Sequence, residues 1–277
     1  VQSSVQLEII AGGTAGAGDY TFSTQTVVFP AGSSASQTVN ISILEDIQIE
    51  GLESIILKIR NPLNAAGIGA DSTMTLYIQD NDTLKASFIA SSSTFLENNN
   101  LQLIGVKLNA LSPNPTKVKL NTPTGTASNG NDYSIVLDSL TFNSNDTSVR
   151  YFSILIKEDI AIESTETILL DFTATNNAIS SGQLFTGNIQ DNDTLRAIFT
   201  QTNASFQESA GTVQIGLKLT AFSPNATSVS ANITGGTASS VTDFTPIAVV
   251  ANFAANDTAT KYFSATILDD TLIEGNE

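Results

Sequence analysis

The chain of 277 residues contains 41% hydrophobic but only 14% charged residues, and its formal net charge is −16. It has no cysteine, histidine or tryptophan, which excludes disulfide bonds, thiol nucleophiles, a histidine general base and zinc sites of the usual kind. The 27 acidic residues against 11 basic ones argue against nucleic acids as partners and favour cations. No segment reaches the roughly 18 to 20 apolar residues of a membrane span, so no direct membrane insertion is predicted.

Three series of similar segments show that the chain consists of repeats. The series are GDYTF at 18–22, NDYSI at 131–135 and TDFTP at 242–246; EDIQIEGLE at 45–53, EDIAIESTE at 158–166 and DDTLIEGNE at 269–277; and IQDNDTL at 78–84 and 189–195. They predict a first repeat at 1–83 that lacks its first two strands, a complete repeat at 84–194, and a third at 195–277 that lacks its last two strands. We expect the molecule to continue on both sides.

Within each repeat, apolar residues recur at every second position, as in half-buried strands. The matching positions are Val39, Ile41 and Ile43 in the first repeat, Phe152, Ile154 and Ile156 in the second, and Phe263, Ala265 and Ile267 in the third. Turn sequences such as SPNPT at 112–116 separate the strands, and no segment has the pattern of an amphipathic helix. The pattern predicts an all-β fold of tandem immunoglobulin-like, seven-stranded β-sandwiches arranged end to end.

Most of the 27 acidic residues recur at equivalent positions of the repeats, where predicted strands end or begin. These positions hold Asp19, Glu45, Asp46, Glu50, Glu53, Asp80 and Asp82 in the first repeat; Glu97, Asp132, Glu158, Asp159, Glu163, Glu166, Asp191 and Asp193 in the second; and Glu208, Asp243, Asp269, Asp270, Glu274 and Glu277 in the third. Strand ends can converge at one pole of an antiparallel sandwich, where so many carboxylates repel one another unless hard cations bridge them.

Calcium suits such a pole, because it takes about 6 to 8 oxygen ligands from carboxylates and main-chain carbonyls. We therefore predict a cluster of several Ca²⁺ ions in each complete repeat. The alternative interpretation is that these acids only cap turns and bind nothing.

The GxDY element, the acidic pair, the ExxE that follows and the terminal DxD resemble a Calx-beta domain. This is the calcium-binding sandwich of sodium–calcium exchangers, integrin β4 and very large extracellular bacterial adhesins, and the resemblance covers the whole chain. It implies that the acidic residues above are calcium ligands, joined by the main-chain carbonyls of Gln48, Ala161 and Leu272. The family commonly has aspartate at the positions of Glu45 and Glu158.

Other kinds of site are disfavoured. The glycine-rich segment at 13–20 lacks the Lys-Ser/Thr and helix of a phosphate-binding loop, and the segment at 269–277 lacks the spacing and flanking helices of an EF-hand. Paired carboxylates occur in glycoside hydrolases, but the same pair in every repeat, without an aromatic sugar platform, favours metal binding. No catalytic or organic-cofactor site is predicted, and the chain is interpreted as a non-enzyme.

The segments DNDTLKASF and DNDTLRAIF join the last strand of one repeat to the first strand of the next with almost no linker. The predicted calcium sites thus lie near the junctions. The leading hypothesis is a rigid stalk or filament of a large extracellular adhesin on a bacterial cell surface. Its partners would be calcium ions, neighbouring repeats of the same longer chain, and surface or glycan ligands bound through other regions. The alternative is a set of regulatory calcium-sensor domains of a membrane transporter.

Overall fold

The computed structural model describes residues 1–65, 67–175, 178–245 and 247–277. Its regular structure is almost entirely β-strand, and within these ranges the one helical element is a 3₁₀ turn at Glu208–Ala210. No helix in the described part of the chain is long and apolar enough to cross a membrane. The all-β prediction is confirmed.

The strands are numbered in chain order. The first repeat contains β1 (Ser3–Ile10), β2 (Tyr20–Thr21), β3 (Gln25–Phe29), β4 (Ser42–Ile43), β5 (Glu53–Leu63) and β6 (Thr73–Ile78). The second contains β7 (Lys85–Phe88), β8 (Ser92–Leu96), β9 (Leu101–Leu108), β10 (Thr116–Leu120), β11 (Thr124–Gly125), β12 (Tyr133–Leu137), β13 (Ser139–Phe142), β14 (Arg150–Ile156), β15 (Glu166–Leu170), β16 (Phe172–Ala174), β17 (Ile179–Ser180) and β18 (Phe185–Gln190). The third contains β19 (Ala197–Phe199), β20 (Thr212–Leu219), β21 (Thr227–Asn232), β22 (Ala248–Phe253) and β23 (Lys261–Thr266).

The second repeat is a sandwich of two layers. One layer is the sheet β12-β14-β9-β7-β17, and the other combines β11-β15-β18-β8 with β13-β10-β16. The two parts of the second layer are continuous, because β15 and β16 are separated only by Asp171. The first strand of the unit is split between the layers, since β7 pairs with β9 and β8 pairs in parallel with β18. The sequence pattern did not predict this split.

The core of the second repeat consists of side chains at every second strand position, as the sequence predicts. Phe152, Ile154 and Ile156 of β14 have no exposed surface. Phe88 of β7 and Phe172 of β16 pack edge to face across the layers, with ring centroids 4.9 Å apart. Aromatic pairs of this kind add about 0.5 to 1.5 kcal/mol to the free energy of burial, so they fix one layer on the other.

The first and third repeats have smaller sheets, β3-β1-β5-β6 with β2-β4 and β19-β20-β23 with β21-β22. Ile55 and Leu57 of β5 are buried. The strand predicted around Val39, Ile41 and Ile43 is reduced to β4, and Ile43 is 55% exposed. The reason is that β4 pairs only with the two residues of β2 in the described part of the chain.

Candidate metal centre

Five strand ends meet at one pole of the second repeat. β12 begins where β14 ends, since Tyr133 pairs with Ile156. β15 begins where β18 ends, since Glu166 pairs with Ile189, and β8 runs parallel to β18 and ends beside it. The loops that follow or precede these ends carry the acidic positions of the repeat, so the pattern of pairing brings the carboxylates towards one place.

Six acidic side chains of this pole form two clusters. The first cluster contains Asp132, Glu163 and Glu166, and the second contains Glu97, Asp159 and Asp193. Within each cluster, one carboxylate oxygen from every residue lies within 4.8 Å of the others. Glu97 and Asp132 are buried, with exposures of only 3% and 6%. Buried carboxylates are rare unless a cation or donor compensates them, so both clusters have the chemistry of a cation site.

Burial and mutual repulsion raise the pKa values of these groups. Burial is the main cause for Glu97, whose pKa rises to about 7, and the charges of Asp159 and Glu163 add to it. Burial also raises the pKa of Glu166 to about 7, helped by its hydrogen bond to Asp132. Oε2 of Glu166 is buried without a hydrogen-bond partner among the described residues. Such an oxygen costs about 1 to 3 kcal/mol, which a bound cation would recover.

Asp191 and Glu158 lie outside the two clusters and organise the loops around them. Asp191 accepts hydrogen bonds from the backbone N–H groups of Glu163, at 3.0 Å, and Asp193, at 2.8 Å. Asn192 donates from Nδ2 to Oε2 of Glu158 at 3.1 Å. Asp191 therefore fixes one member of each cluster, while its neighbour Asn192 holds the acidic pair in place.

The first repeat has the equivalent cluster of Asp19, Glu50 and Glu53. Burial, followed by a hydrogen bond to Asp19, raises the pKa of Glu53 to about 7, and Oε2 of Glu53 is again buried without a partner among the described residues. Asp80 accepts the backbone N–H of Glu50 at 2.9 Å, as Asp191 does for Glu163. The cluster belongs to a cavity of about 230 Å³ whose lining includes Glu45, Asp46, Gln48, Asp80 and Asp82.

The third repeat has a cluster of Asp243, Glu274 and Glu277. Burial and the charge of Asp243 raise the pKa of Glu274, and the side chain of Glu208 hydrogen-bonds to it. Among the described residues, Asp269 and Asp270 form no such close group with these acids. All three repeats thus bring together the aspartate of the GxDY element and the two glutamates of ExxE.

The three residues predicted to offer main-chain carbonyls occupy identical turns. The amide N–H of each donates to the aspartate two residues earlier, at 2.7 Å for Gln48 and 2.6 Å for Ala161 and Leu272. Aspartate-capped turns of this kind hold the backbone in a tight loop. The turns place these residues beside the acidic pair, and ligation by their carbonyls stays a prediction.

The loop after the acidic pair of the first repeat is bonded to the second repeat. The N–H of Ile49 donates to the carbonyl of Leu111, and the N–H of Leu111 donates to the carbonyl of Ile47, both at 2.8 Å. The two bonds flank Gln48. The side chain of Ile49 also packs against the core of the second repeat. A loop that carries proposed ligands is therefore part of the contact between repeats.

The second junction repeats this arrangement. The N–H of Ile162 donates to the carbonyl of Phe222, and the N–H of Phe222 donates to the carbonyl of Ile160, again at 2.8 Å. The two described junctions thus share the same pair of backbone hydrogen bonds.

A side chain from the next repeat also spans each short linker. Asn109 donates to the carbonyl of Thr83 at 3.0 Å and accepts the N–H of Lys85 at 2.6 Å. Oγ1 of Thr220 makes the corresponding pair of contacts at the second junction. At each junction, one side chain thus forms hydrogen bonds with the backbone on both sides of the linker.

The fold and the clusters define a protein of tandem β-sandwiches with groups of carboxylates that could hold a cation in each repeat. The Calx-beta domain family matches residues 2–82, 79–186 and 190–277, and the chain therefore belongs to the Calx-beta family. Calx-beta domains are calcium-binding modules. The clusters fit that ion, because their donors are carboxylate oxygens and include those of Glu53 and Glu166 that have no hydrogen-bond partner among the described residues.

Several solved structures are similar to the chain. CBD12 from CALX1.2 shares 20% identity with a TM-score of 0.37, over 68% of this chain and 77% of that one. CBD12 of CALX1.1 shares 20% identity with a TM-score of 0.37, over 67% and 76%. The apo form of the Calx CBD1 domain shares 19% identity with a TM-score of 0.35, over 40% and 100%. No curated protein sequence matches the chain significantly.

Sequence reasoning missed the residues that tie the site loops together. Asn192 also donates to the main-chain carbonyl of Glu97, a contact that the sequence did not predict. The junction residues Leu111 and Phe222 were missed as well, although their segments, NALSPN at 109–114 and TAFSPN at 220–225, are a repeated motif. The sequence indicates a turn for this motif. The structure shows that it also bonds to the acidic loop of the preceding repeat.

The raised pKa values predict how stability depends on pH without calcium. Between their ordinary pKa of 4.5 and about 7, Glu53, Glu97 and Glu166 bind more protons in the folded chain than in the unfolded chain. Their contribution to stability is therefore complete below pH 4.5 and is lost as the pH rises to about 7. We expect the melting temperature in EDTA to fall over this range, and a rise would contradict the assignment of these groups.

Proposed function

We propose that the chain is a calcium-stiffened stalk or filament segment of a large extracellular adhesin on a bacterial cell surface. The observation that supports this most directly is the bonding of each acidic loop to the following repeat. Binding of an ion at residues 45–50 or 158–163 would order a loop that already holds the next repeat through two backbone hydrogen bonds. Ion binding and joint stiffness are coupled when both need the same loop conformation.

Each complete repeat would bind several Ca²⁺ ions. In the second repeat, Asp132, Glu163 and Glu166 would hold one ion, and Glu97, Asp159 and Asp193 another. Glu158, Asp191 and the Ala161 carbonyl would complete the coordination. When bound, calcium supplies positive charge that cancels the repulsion among these carboxylates. Sites of extracellular modules typically have a Kd of about 10⁻⁴ to 10⁻³ M, which suits calcium-rich surroundings outside the cell.

The acids in this proposal bind and position an ion and do not perform chemistry. The same carboxylates recur in every repeat, and a repeated structural ion explains that recurrence better than a repeated catalytic site. The proposed partners are calcium and neighbouring repeats, with any surface or glycan ligand bound through other parts of the molecule.

Small-angle scattering with and without calcium tests the stalk function. We expect the chain to have a larger maximum dimension and a narrower distribution of shapes in about 5 to 10 mM calcium. This concentration is above the Kd of such sites, which is about 10⁻⁴ to 10⁻³ M. In EDTA, the joints should flex and the mean dimension should fall. A sensor that only closes one pair of domains would change one joint, so unequal responses of the two joints would contradict a uniform stalk.

Substitution of one proposed ligand should loosen one joint. Asp193→Asn removes a charge from the cluster beside the second junction, whereas Asp171→Asn removes a charge from the opposite end of β15, outside the clusters. In calcium, the Asp193→Asn chain should flex between the second and third repeats, and the Asp171→Asn chain should match the wild type. Spin labels on either side of the junction report the distance distribution. Equal distributions in all three chains would remove Asp193 from the ligand set.

A further inference from the structure

One sheet of the second repeat has an apolar outer face. β12, β14, β9 and β7 lie side by side in this sheet. The apolar side chains on its outside are Ile89, Leu101, Leu103, Val136, Val149 and Tyr151, which are 37% to 59% exposed, and the half-buried Leu155. We call this surface the β9–β14 face. Single exposed apolar residues are ordinary, but a contiguous apolar patch marks an interaction surface.

The strand register makes this patch contiguous. Leu101 is paired with Leu155, and Gly105, two positions beyond Leu103, is paired with Tyr151. The side chain of Ile89 lies over Gly105, where a Cβ atom would come within 2.4 Å of it. The apolar surface therefore runs from the start of β9 to the loop after β7, and Ser153, the polar partner of Leu103 within it, is itself buried.

The third repeat has the same sheet geometry but a less apolar face. β20 and β23 pair in the register of β9 and β14, because Gly216 is paired with Tyr262 as Gly105 is with Tyr151. The counterparts of Ile89, Leu101, Leu103, Val149 and Leu155 are Thr200, Thr212, Gln214, Thr260 and Thr266. The third repeat keeps an apolar residue at two of these positions, with Tyr262 in place of Tyr151 and Ile247 in place of Val136, and Ile198 replaces Ser87 at the edge. The fold of the repeat thus tolerates polar residues at five of these positions, and the face of the third repeat is much less apolar than that of the second.

The β9–β14 face also has opposite charges at its two ends. Lys85 and Lys107 stand at the end near the first junction, where Lys107 is paired with Ser87. Leu101 and Leu155 stand at the other end, beside the acidic pole, where Lys157 is outnumbered by Glu97, Asp132, Glu158 and Asp159. None of the outward side chains that make up the face is acidic. The face therefore differs from the rest of a chain whose net charge is −16.

We propose that the β9–β14 face binds the same face of a second copy of the chain, with the strands of the two copies antiparallel. A two-fold axis through the centre of the face makes the contact self-complementary and closed. In this orientation the lysine end of each copy meets the acidic pole of the other. The parallel orientation places like charges together, and charge complementarity of this kind selects one orientation.

The size of the face sets the expected strength. Four strands about 4.8 Å apart, over about seven residues of 3.3 Å each, give roughly 450 Å² per copy. The pair would bury about 900 Å², which is less than the roughly 1,200 Å² of stable complexes. The dimer of one chain is therefore weak, with a Kd in the range of about 10⁻⁵ to 10⁻³ M. On a filament it would act as a lateral contact that gains strength from repetition.

Analytical ultracentrifugation of the 277-residue chain in calcium tests the association. We expect concentration-dependent dimers between about 10 µM and 1 mM. The variant Ile89→Thr/Leu101→Thr/Leu103→Gln/Leu155→Thr carries the residues of the third repeat at the same positions, so the fold already accommodates them. It should associate at least tenfold more weakly while keeping its calcium-induced rise in melting temperature. A monomeric wild-type chain, or equal association of the variant, would overturn the proposal.

Cross-linking tests which faces meet, since the chain has no cysteine of its own. Leu103→Cys lies at the centre of the β9–β14 face, next to the two-fold axis, and should form disulfide-linked dimers under mild oxidation. Gln214→Cys lies at the same register of the third repeat and should not. Equal cross-linking of both variants would show association through another surface. Binding of a wild-type monomer to phosphatidylcholine vesicles, lost in the four-residue variant, would assign the face to a membrane and also overturn the dimer.

Discussion

Removal of calcium is expected to lower the melting temperature of the chain by about 10 °C or more. An ion with a Kd of about 10⁻⁴ M is present at about 100 times its Kd in 10 mM calcium, and it stabilises the folded state by about 2.7 kcal/mol. In a domain of about 100 residues, each kcal/mol corresponds to roughly 4 °C or more. The loss also exposes the repulsion among Asp132, Glu163 and Glu166, so the apo chain should be less stable than one without the acids. Differential scanning calorimetry in 10 mM calcium and in EDTA measures the difference.

Magnesium is the matched control for this experiment. It prefers a small octahedral shell and gives up its water reluctantly, so at equal concentration it should restore only a small part of the stability. A full restoration by magnesium would mean that general charge screening, and not a built calcium site, stabilises the chain. Equal melting temperatures in calcium and in EDTA would contradict the structural role of the ion.

Glu166→Gln is expected to change stability in opposite directions with and without calcium. In EDTA, the substitution removes one charge from a repelling cluster and keeps the shape of the side chain. Two like charges about 4 Å apart repel by about 1 kcal/mol in water and by more near a protein surface, so the apo variant should be more stable by roughly 1 to 2 kcal/mol. In calcium, the lost carboxylate weakens binding, and the variant should be less stable than the wild type.

Chemical denaturation at pH 7.5 in both conditions measures this reversal. Asp171→Asn makes the same change of charge at the other end of β15, and it should have little effect in either condition, as is usual for exposed charges. If Glu166→Gln destabilises the chain equally in EDTA and in calcium, Glu166 serves the packing of the fold and is not a cation ligand. The equivalent Glu53→Gln should behave in the same way in the first repeat.

The sequence predicts the fold well because the repeats make the pattern redundant. The alternation at Phe152, Ile154 and Ile156 is found again at other copies, so the burial of one face could be inferred before any pairing was known. The exact extent of the strands was harder to predict. Ile43 follows the same pattern but is exposed, because burial depends on a neighbouring strand and not on the alternation alone.

Parts of the site could be predicted and parts could not. The grouping of Asp132 with Glu163 and Glu166 follows from antiparallel pairing, which places one strand end beside another. The positions of Glu158 and Asp191 outside the close clusters could not be inferred, because they depend on side-chain rotamers and on hydrogen bonds within the loop. The contacts between repeats could not be predicted either, because the alternation of apolar residues describes the strands of one repeat and says nothing about its neighbour.

The repeated heptamer IQDNDTL lies where the proposed ion site and the contact between repeats meet. In its second copy, Ile189 is buried in the core, Asp193 joins a carboxylate cluster, and the chain passes within two residues to the next repeat. The same short segment thus belongs to the core, to the proposed ion site and to the joint. Its repetition in the chain is understandable, because different residues of the segment serve each of the three.

Calorimetric titration of calcium into the 277-residue chain at pH 7.5 tests the central claim most directly. The account predicts saturable binding of more than one ion per chain, with a Kd of about 10⁻⁴ to 10⁻³ M. It also predicts fewer bound ions in the double variant Asp132→Asn/Glu166→Gln, while Asp171→Asn binds like the wild type. An absence of saturable binding up to about 10 mM, or an unchanged number of ions in the double variant, would contradict it.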